Sequence, residues 1–230
     1  MKTVLVTGAN RGIGLEHARR FAARGLRVYA TARNVSGADE LNDLAAKSSG
    51  SVHVLTYDAA DEGAPAKLKT ALGDEPLDLL FANAGVMGDR GGFGATSAAN
   101  ILETIAINAV APLKLAEALA DNVAASTRRL MAFQSSKMGS IDDNASGGYY
   151  AYRLSKTSLN MVARGISRDL AARGVIAVAL HPGWVQTRMG GGGAPLSIAV
   201  CVEAQQKLFD ALTLEQSGRF FNYNGAEIPW

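Results

Sequence analysis

Six short strand-like runs recur along the chain: Thr3 to Thr7, Arg27 to Thr31, Ser51 to Thr56, Leu77 to Ala82, Leu130 to Gln134 and Val175 to Leu180. Between and after them lie Ala- and Leu-rich stretches of helical period, over Ile13 to Ala23, Ala38 to Ala46, Ala64 to Leu72, Ala98 to Ala120, Ala151 to Arg173 and Ala199 to Leu212. Most are bounded by Gly, Pro or Asn, residues that punctuate helices. Strict alternation of strand and helix makes the strands parallel, because each helix carries the chain back to the start of the next strand. The expectation is an α/β fold in which a parallel sheet is flanked by helices. With 230 residues and 48% hydrophobic content, the chain is sized for one large domain spanning 1–230.

Charge and cysteine usage exclude several classes of function. The net charge is +2, and the 23 basic residues are spread out instead of forming a stripe, so no nucleic-acid footprint is expected. Cys201 is the only cysteine, so no intrachain disulfide can form. The first apolar segment, Thr3 to Val6, is too short for a leader or a membrane span. A soluble protein in the reducing cytoplasm is expected. His17, His53, His181 and Cys201 have no ligand-like spacing, and no metal is expected.

Directly after the first strand comes Thr7-Gly8-Ala9-Asn10-Arg11-Gly12-Ile13-Gly14, which leads into a helix. Glycines permit a tight turn and let a pyrophosphate approach the backbone, while the helix amino end attracts its charge. An acid at the end of the second strand would hold the free ribose hydroxyls and repel a 2′-phosphate. This chain has Thr31-Ala32-Arg33-Asn34 there instead. Arg33 can pair with a phosphate, with Arg11 approaching from the other side, so if the turn holds a nicotinamide dinucleotide, NADP(H) is the expected form of that cofactor. The alternative for both arginines is a solvated surface charge. Two further glycine-rich stretches, Gly88 to Gly94 and Gly190 to Gly193, follow strands at the edge where open α/β sheets bind ligands.

Three tyrosines stand in Tyr149-Tyr150-Ala151-Tyr152-Arg153-Leu154-Ser155-Lys156. A helix aligns residues four apart, and of the three only Tyr152 then faces a lysine, Lys156. The series continues with Asn83-Ala84-Gly85 after the fourth strand, Asn108 within a helix, Ser135-Ser136 after the fifth strand and Pro182-Gly183 after the sixth. In order and spacing this series resembles the short-chain dehydrogenase/reductase family, whose fold is a Rossmann-type doubly wound parallel sheet.

The resemblance implies hydride transfer to a carbonyl carbon, with Tyr152 protonating the oxygen and Ser136 hydrogen-bonding it; Ser135 is the second choice for that serine. Lys156 would lower the phenol pKa and hold the nicotinamide ribose. An ordinary phenol, with a pKa near 10, needs about 4 kcal/mol of help to reach 7. An exposed ion pair supplies at most about 1 kcal/mol, so the site must be desolvated. Asn108 is implied to hold a proton-relay water, and it can equally tie its helix to its neighbours as a buried amide. The implied cofactor-binding set is Gly8, Asn10, Arg11, Gly12, Ile13, Gly14, Arg33, Asp58, Asn83, Ala84, Gly85, Tyr152, Lys156, Pro182, Gly183, Val185 and Thr187. In it Asp58 meets the adenine amino group, Thr187 meets the carboxamide, and Asn83 steadies the sheet beside the cofactor.

The gap of sixteen residues from Ser136 to Tyr152 is long for the family and makes Asp142 to Gly148 a flap near the substrate. Met138, Trp184, Met189 and the glycines after it would surround an apolar site under a mobile lid, or else belong to the core. The carboxyl-terminal stretch Ser217 to Trp230 and the Ser135 to Lys156 segment resemble the branch of C-factor proteins and sniffer-type carbonyl reductases. That branch implies an NADPH-dependent reductase of an aldehyde, ketone or quinone, with a dinucleotide-binding signalling protein as the alternative. A homodimer or tetramer formed through the long helices is also implied.

Overall fold

A computed structural model describes all 230 residues. The strands are β1 (Thr3–Val6), β2 (Arg27–Ala32), β3 (Val52–Thr56), β4 (Leu79–Ala82), β5 (Leu130–Gln134), β6 (Ile176–His181) and β7 (Phe220–Asn222). The helices are α1 (Gly12–Ala23), α2 (Asp39–Lys47), α3 (Ala64–Leu72), α4 (Ala98–Ile105), α5 (Ala111–Ala124), α6 (Tyr150–Asp169) and α7 (Ile198–Ala211). The seven strands form one sheet in the order β3-β2-β1-β4-β5-β6-β7, with every pair parallel. The order reverses direction between β1 and β4, which places a ligand crevice at their carboxyl ends.

Side-chain alternation divides the core into two layers. Val4, Val6, Leu79 and Phe81 face one side and pack with Phe21 of α1, Leu41 of α2 and Phe209 of α7. Leu5, Leu80 and Ala82 face the other side and pack with Leu68 of α3, Leu119 of α5 and Leu159 of α6. Strands buried on both faces explain why the sequence reads as unbroken apolar runs without alternation.

The structure departs from the sequence-based expectation in three places. The expected continuous helix over Ala98 to Ala120 is interrupted by a π-helical turn at Ala106–Val110, followed by Pro112 at the start of α5. Proline has no N–H, so the carbonyl of Asn108 lacks the donor that an α-helix would present four residues on. The expected helix over Ala151 to Arg173 ends at Asp169 and gives way to a 3-10 turn over Ala171–Arg173. Strand β7 has no counterpart among the expected runs; at three residues it is too short to show a period, although Phe220 and Phe221 are buried. No helix is long and apolar enough to cross a membrane.

Candidate active site

The glycine turn is built by close backbone packing. Gly8 and Gly12 have φ of +63° and +57°, a region that strains other residues. A Cβ on Gly14 would stand 2.4 Å from the Gly8 carbonyl and 2.7 Å from Asn83 Nδ2, so only glycine fits where α1 begins. The Asn83 side chain donates to the carbonyls of Thr7 and Gly8 at 2.9 and 3.3 Å. Thr7 Oγ1 accepts from the N–H groups of Asn83 and Ala84 at 2.9 and 3.0 Å. Asn83 therefore secures the turn itself, joined by Thr7, whose role the motif did not reveal.

The amino end of α1 has neither a capping side chain nor an acid in its first turn, so its N–H groups are free to meet an anion. Arg11 and Arg33 are exposed and form no ion pair. Thr187 approaches the same turn from the loop after β6: its Cγ2 lies 3.8 Å from where a Cβ on Gly12 would stand. Val185 is buried and bridges to Leu196, which folds the Pro182 to Ser197 loop into a strap. Asp58 lies just past β3, where its carboxylate accepts from the Ala60 N–H at 3.0 Å. The free N–H groups at this turn have the chemistry to hold an anionic group such as a dinucleotide's pyrophosphate.

At the centre of the same edge, Tyr152 and Lys156 project from adjacent turns of α6 and are only 7% and 4% exposed. Lys156 Nζ lies 5.6 Å from the centroid of the Tyr152 ring and donates to the Gln134 carbonyl at 2.8 Å. Burial pushes the Tyr152 phenol up to about 12, with the Ser136 hydroxyl pulling the other way. Burial alone brings the Lys156 ammonium down to about 8. Both groups are thus desolvated as expected, but the phenol moves up, not down as the family resemblance implies, because burial outweighs the Ser136 hydrogen bond and Lys156 donates to the Gln134 carbonyl instead. Tyr149, in contrast, is exposed and in the left-handed region at φ +51°, immediately before α6.

The two serines after β5 differ in their engagements. Ser135 Oγ donates to Asn160 Oδ1 at 2.6 Å and is sealed beneath α6. Ser136 Oγ accepts only the Met138 N–H, at 3.2 Å, and is the serine that bears on Tyr152. The glycine three residues after Ser136 has a steric reason: a Cβ on Gly139 would stand 2.7 Å from the Lys156 carbonyl carbon. Gly139 thus lets α6 come down onto the end of β5.

Asn108 sits inside the π turn and is fully buried. Its side chain exchanges two hydrogen bonds of 2.8 Å with the Val86 backbone and donates to Ser155 Oγ at 2.9 Å. It is therefore a tie between the helix and the loop after β4. Gly85 in that loop lies where a Cβ would be 3.0 Å from Asn108 Oδ1 and 3.5 Å from Lys156 Nζ.

The Asp142 to Gly148 segment is irregular and is anchored at both ends. Arg153 donates to the Gly147 and Met138 carbonyls, and the Trp230 carbonyl accepts from the N–H groups of Ile141 and Asp142. Trp184 and Met189 are 60% and 39% exposed on the strap after β6, so neither is core.

The family model for short chain dehydrogenases matches residues 2–193. The C-signal protein of Myxococcus xanthus is 44% identical over 155 residues, covering 67% of this chain and 93% of that protein. Among solved structures, the carbonyl reductase Sniffer of D. melanogaster superposes with a TM-score of 0.91 at 34% identity, with all of both chains covered. The NADPH-bound carbonyl reductase from chicken fatty liver gives a TM-score of 0.92 at 31% identity, covering 100% of this chain and 99% of that one.

Proposed function

This chain belongs to the short-chain dehydrogenase family, and on that premise we propose that it binds NADP(H) and reduces an aldehyde, ketone or quinone to the alcohol. One observation carries the reading: Tyr152 and Lys156 are buried together beside Ser136 at the sheet edge that also carries the glycine turn. A protein that only bound a dinucleotide would have no physical need for a desolvated phenol and ammonium there.

The bound cofactor supplies a hydride. Tyr152 delivers the proton to the carbonyl oxygen, and a phenol that burial holds near 12 is fully protonated at neutral pH, as a donor must be. Ser136 hydrogen-bonds the same oxygen and keeps the substrate carbonyl in line with the phenol. Lys156, at about 8, stays mainly charged at pH 7, ready to stabilise the phenolate left behind and to hold the ribose of the cofactor. The Asn108 carbonyl, without an α-helical donor because of Pro112, is the group that holds the water returning the proton.

The absence of an acid at Thr31 to Asn34, together with the unpaired Arg11 and Arg33, supports NADPH over NADH. A reducing, cytoplasmic setting suits the single buried thiol of Cys201. The exposed Leu102 and Val110, and Leu154 and Met161 on α6, offer an apolar face for a second copy of the chain.

A second reading, a dinucleotide-binding signalling protein, draws on the similarity to C-signal. The deciding experiment is NADPH oxidation across a panel of aldehydes, ketones and quinones, with Tyr152→Phe as control. Loss of the acid is expected to lower kcat about 10²- to 10⁴-fold while NADPH binding persists. Equal turnover by the variant refutes the role of Tyr152, and no turnover of any carbonyl favours the signalling reading.

A further inference from the structure

The Lys156 ammonium makes one hydrogen bond in the structure, to the Gln134 carbonyl at 2.8 Å. Gln134 ends β5, and β4 stops opposite Phe133, so no further β4 residue pairs beside Gln134. What fixes the Gln134 peptide is therefore of consequence for the lysine. Its N-terminal side follows the ladder of β5, and the next residue, Ser135, donates to the Leu180 carbonyl at 2.7 Å. Its side chain runs the other way, into the layer beneath α1 and α7.

There Gln134 Oε1 accepts from Gln205 Nε2 at 3.0 Å, and Gln205 Oε1 meets His17 Nε2 at 2.9 Å. His17 and Gln205 are completely buried, and Gln134 is 7% exposed. The imidazole is walled by the rings of Phe21, Phe81 and Phe209 at centroid distances of 5.6, 4.8 and 5.6 Å. An amide oxygen facing Nε2 makes that nitrogen the donor, and His17 Nδ1 and Gln134 Nε2 are left without partners. Leucine or methionine would fill these positions without leaving polar atoms unsatisfied, so the chain of three polar residues is costly as pure core.

The three residues come from the elements that border the site: α1 just after the glycine turn, β5 just before the serine, and α7 just after the strap. We propose that His17 and Gln205 are positioning residues that act through Gln134, holding its carbonyl where it seats the Lys156 ammonium. None of them touches the reacting atoms. The Ser135 N–H, in the same peptide unit as the acceptor, anchors that unit to Leu180, and the relay holds its other flank through the Gln134 side chain, so that together they set where the lysine stands relative to the phenol and the cofactor ribose. The inference rests on the role given to Lys156 above.

The test compares Gln205→Met with the all-apolar variant His17→Leu/Gln134→Met/Gln205→Met, and with Leu68→Ala, a destabilising control on the opposite layer. Tm, NADPH Kd by fluorescence, and kcat and KM for menadione are measured for each. Gln205→Met is expected to raise NADPH Kd and to lower kcat by about tenfold each, the scale of one misplaced hydrogen bond, with the menadione KM unchanged. The all-apolar variant is expected to recover Tm while keeping both defects, and Leu68→Ala to lower Tm while sparing Kd and kcat. Wild-type Kd and kcat in the all-apolar variant overturn the proposal, as does an equal rise in Kd for Leu68→Ala. If no carbonyl is turned over by the wild-type protein, the reductase reading fails, and the NADPH Kd series still decides the relay.

Discussion

The glycine turn and the Tyr152–Lys156 centre lie on the same sheet edge, yet they are held by opposite means. The turn is fixed by atoms in contact: Gly14 against the Gly8 carbonyl, and Asn83 and Thr7 bonded across β1 and β4. It carries no buried charge. The centre instead buries two ionisable groups: the ammonium, brought down to about 8, resists burial at neutral pH, whereas the phenol, pushed up to about 12, stays neutral and resists only its own ionisation. The turn is therefore held by packing alone, whereas the centre holds a buried ammonium whose one hydrogen bond goes to the Gln134 carbonyl.

Lys156→Met breaks that contrast most directly. The folded value of the lysine lies below its ordinary 10.5, so between about 8 and 10.5 the unfolded chain binds more protons and stability rises with pH. Below about pH 8 the full penalty is present, on the order of 3 kcal/mol for a shift of this size. Cofactor-free Lys156→Met is expected to be more stable than the parent by about that much at pH 7, with the advantage gone by about pH 10.5. Urea unfolding across this range measures it, and a variant that is less stable at pH 7 contradicts the account of the centre. Tyr152, raised instead of lowered, weakens stability only above about pH 10 and does not disturb the measurement.

Gly14→Ala sharpens the other side of the comparison. The new Cβ must displace the Gly8 carbonyl or the Asn83 amide, at a cost of about 2 kcal/mol, and NADPH affinity is expected to fall by more than tenfold. Unchanged affinity would mean that the turn can give. Gly139→Ala links the two regimes, because it inserts the same steric conflict, at 2.7 Å from Lys156, into the charged centre. It is expected to cost about 1 to 2 kcal/mol of stability and to lower kcat with little change in NADPH Kd. A fall in affinity without a fall in kcat would assign Gly139 to the cofactor. The smallest effect is expected from Arg33→Ala: about 1 kcal/mol in NADPH binding, none in NADH binding, and weaker at high salt. Equal loss for both cofactors would remove Arg33 from phosphate recognition.

The turn was the more legible of the two regions. Its glycines and the helix that follows are consecutive in the chain, and local spacing encodes them. At the centre, helical register alone separated Tyr152 from Tyr149 and Tyr150, because one turn of helix is also a local property. The choice of Ser136 over its runner-up Ser135 rests in the sequence on resemblance alone, and its physical ground is tertiary. It turns on Asn160, twenty-five residues away from Ser135, whose amide occupies the first serine.

The alternation of strands and helices, the glycine turn and the Tyr152–Lys156 pair were determined by the sequence itself, since each depends on residues within a few turns of one another. The tertiary structure alone decided the π turn around Asn108, the three-residue β7, the upward direction of the phenol shift, and the joining of His17, Gln134 and Gln205. These depend on what packs against a residue from across the sheet. His17 and Gln205 are 188 residues apart in the chain, and no spacing or period records that they meet.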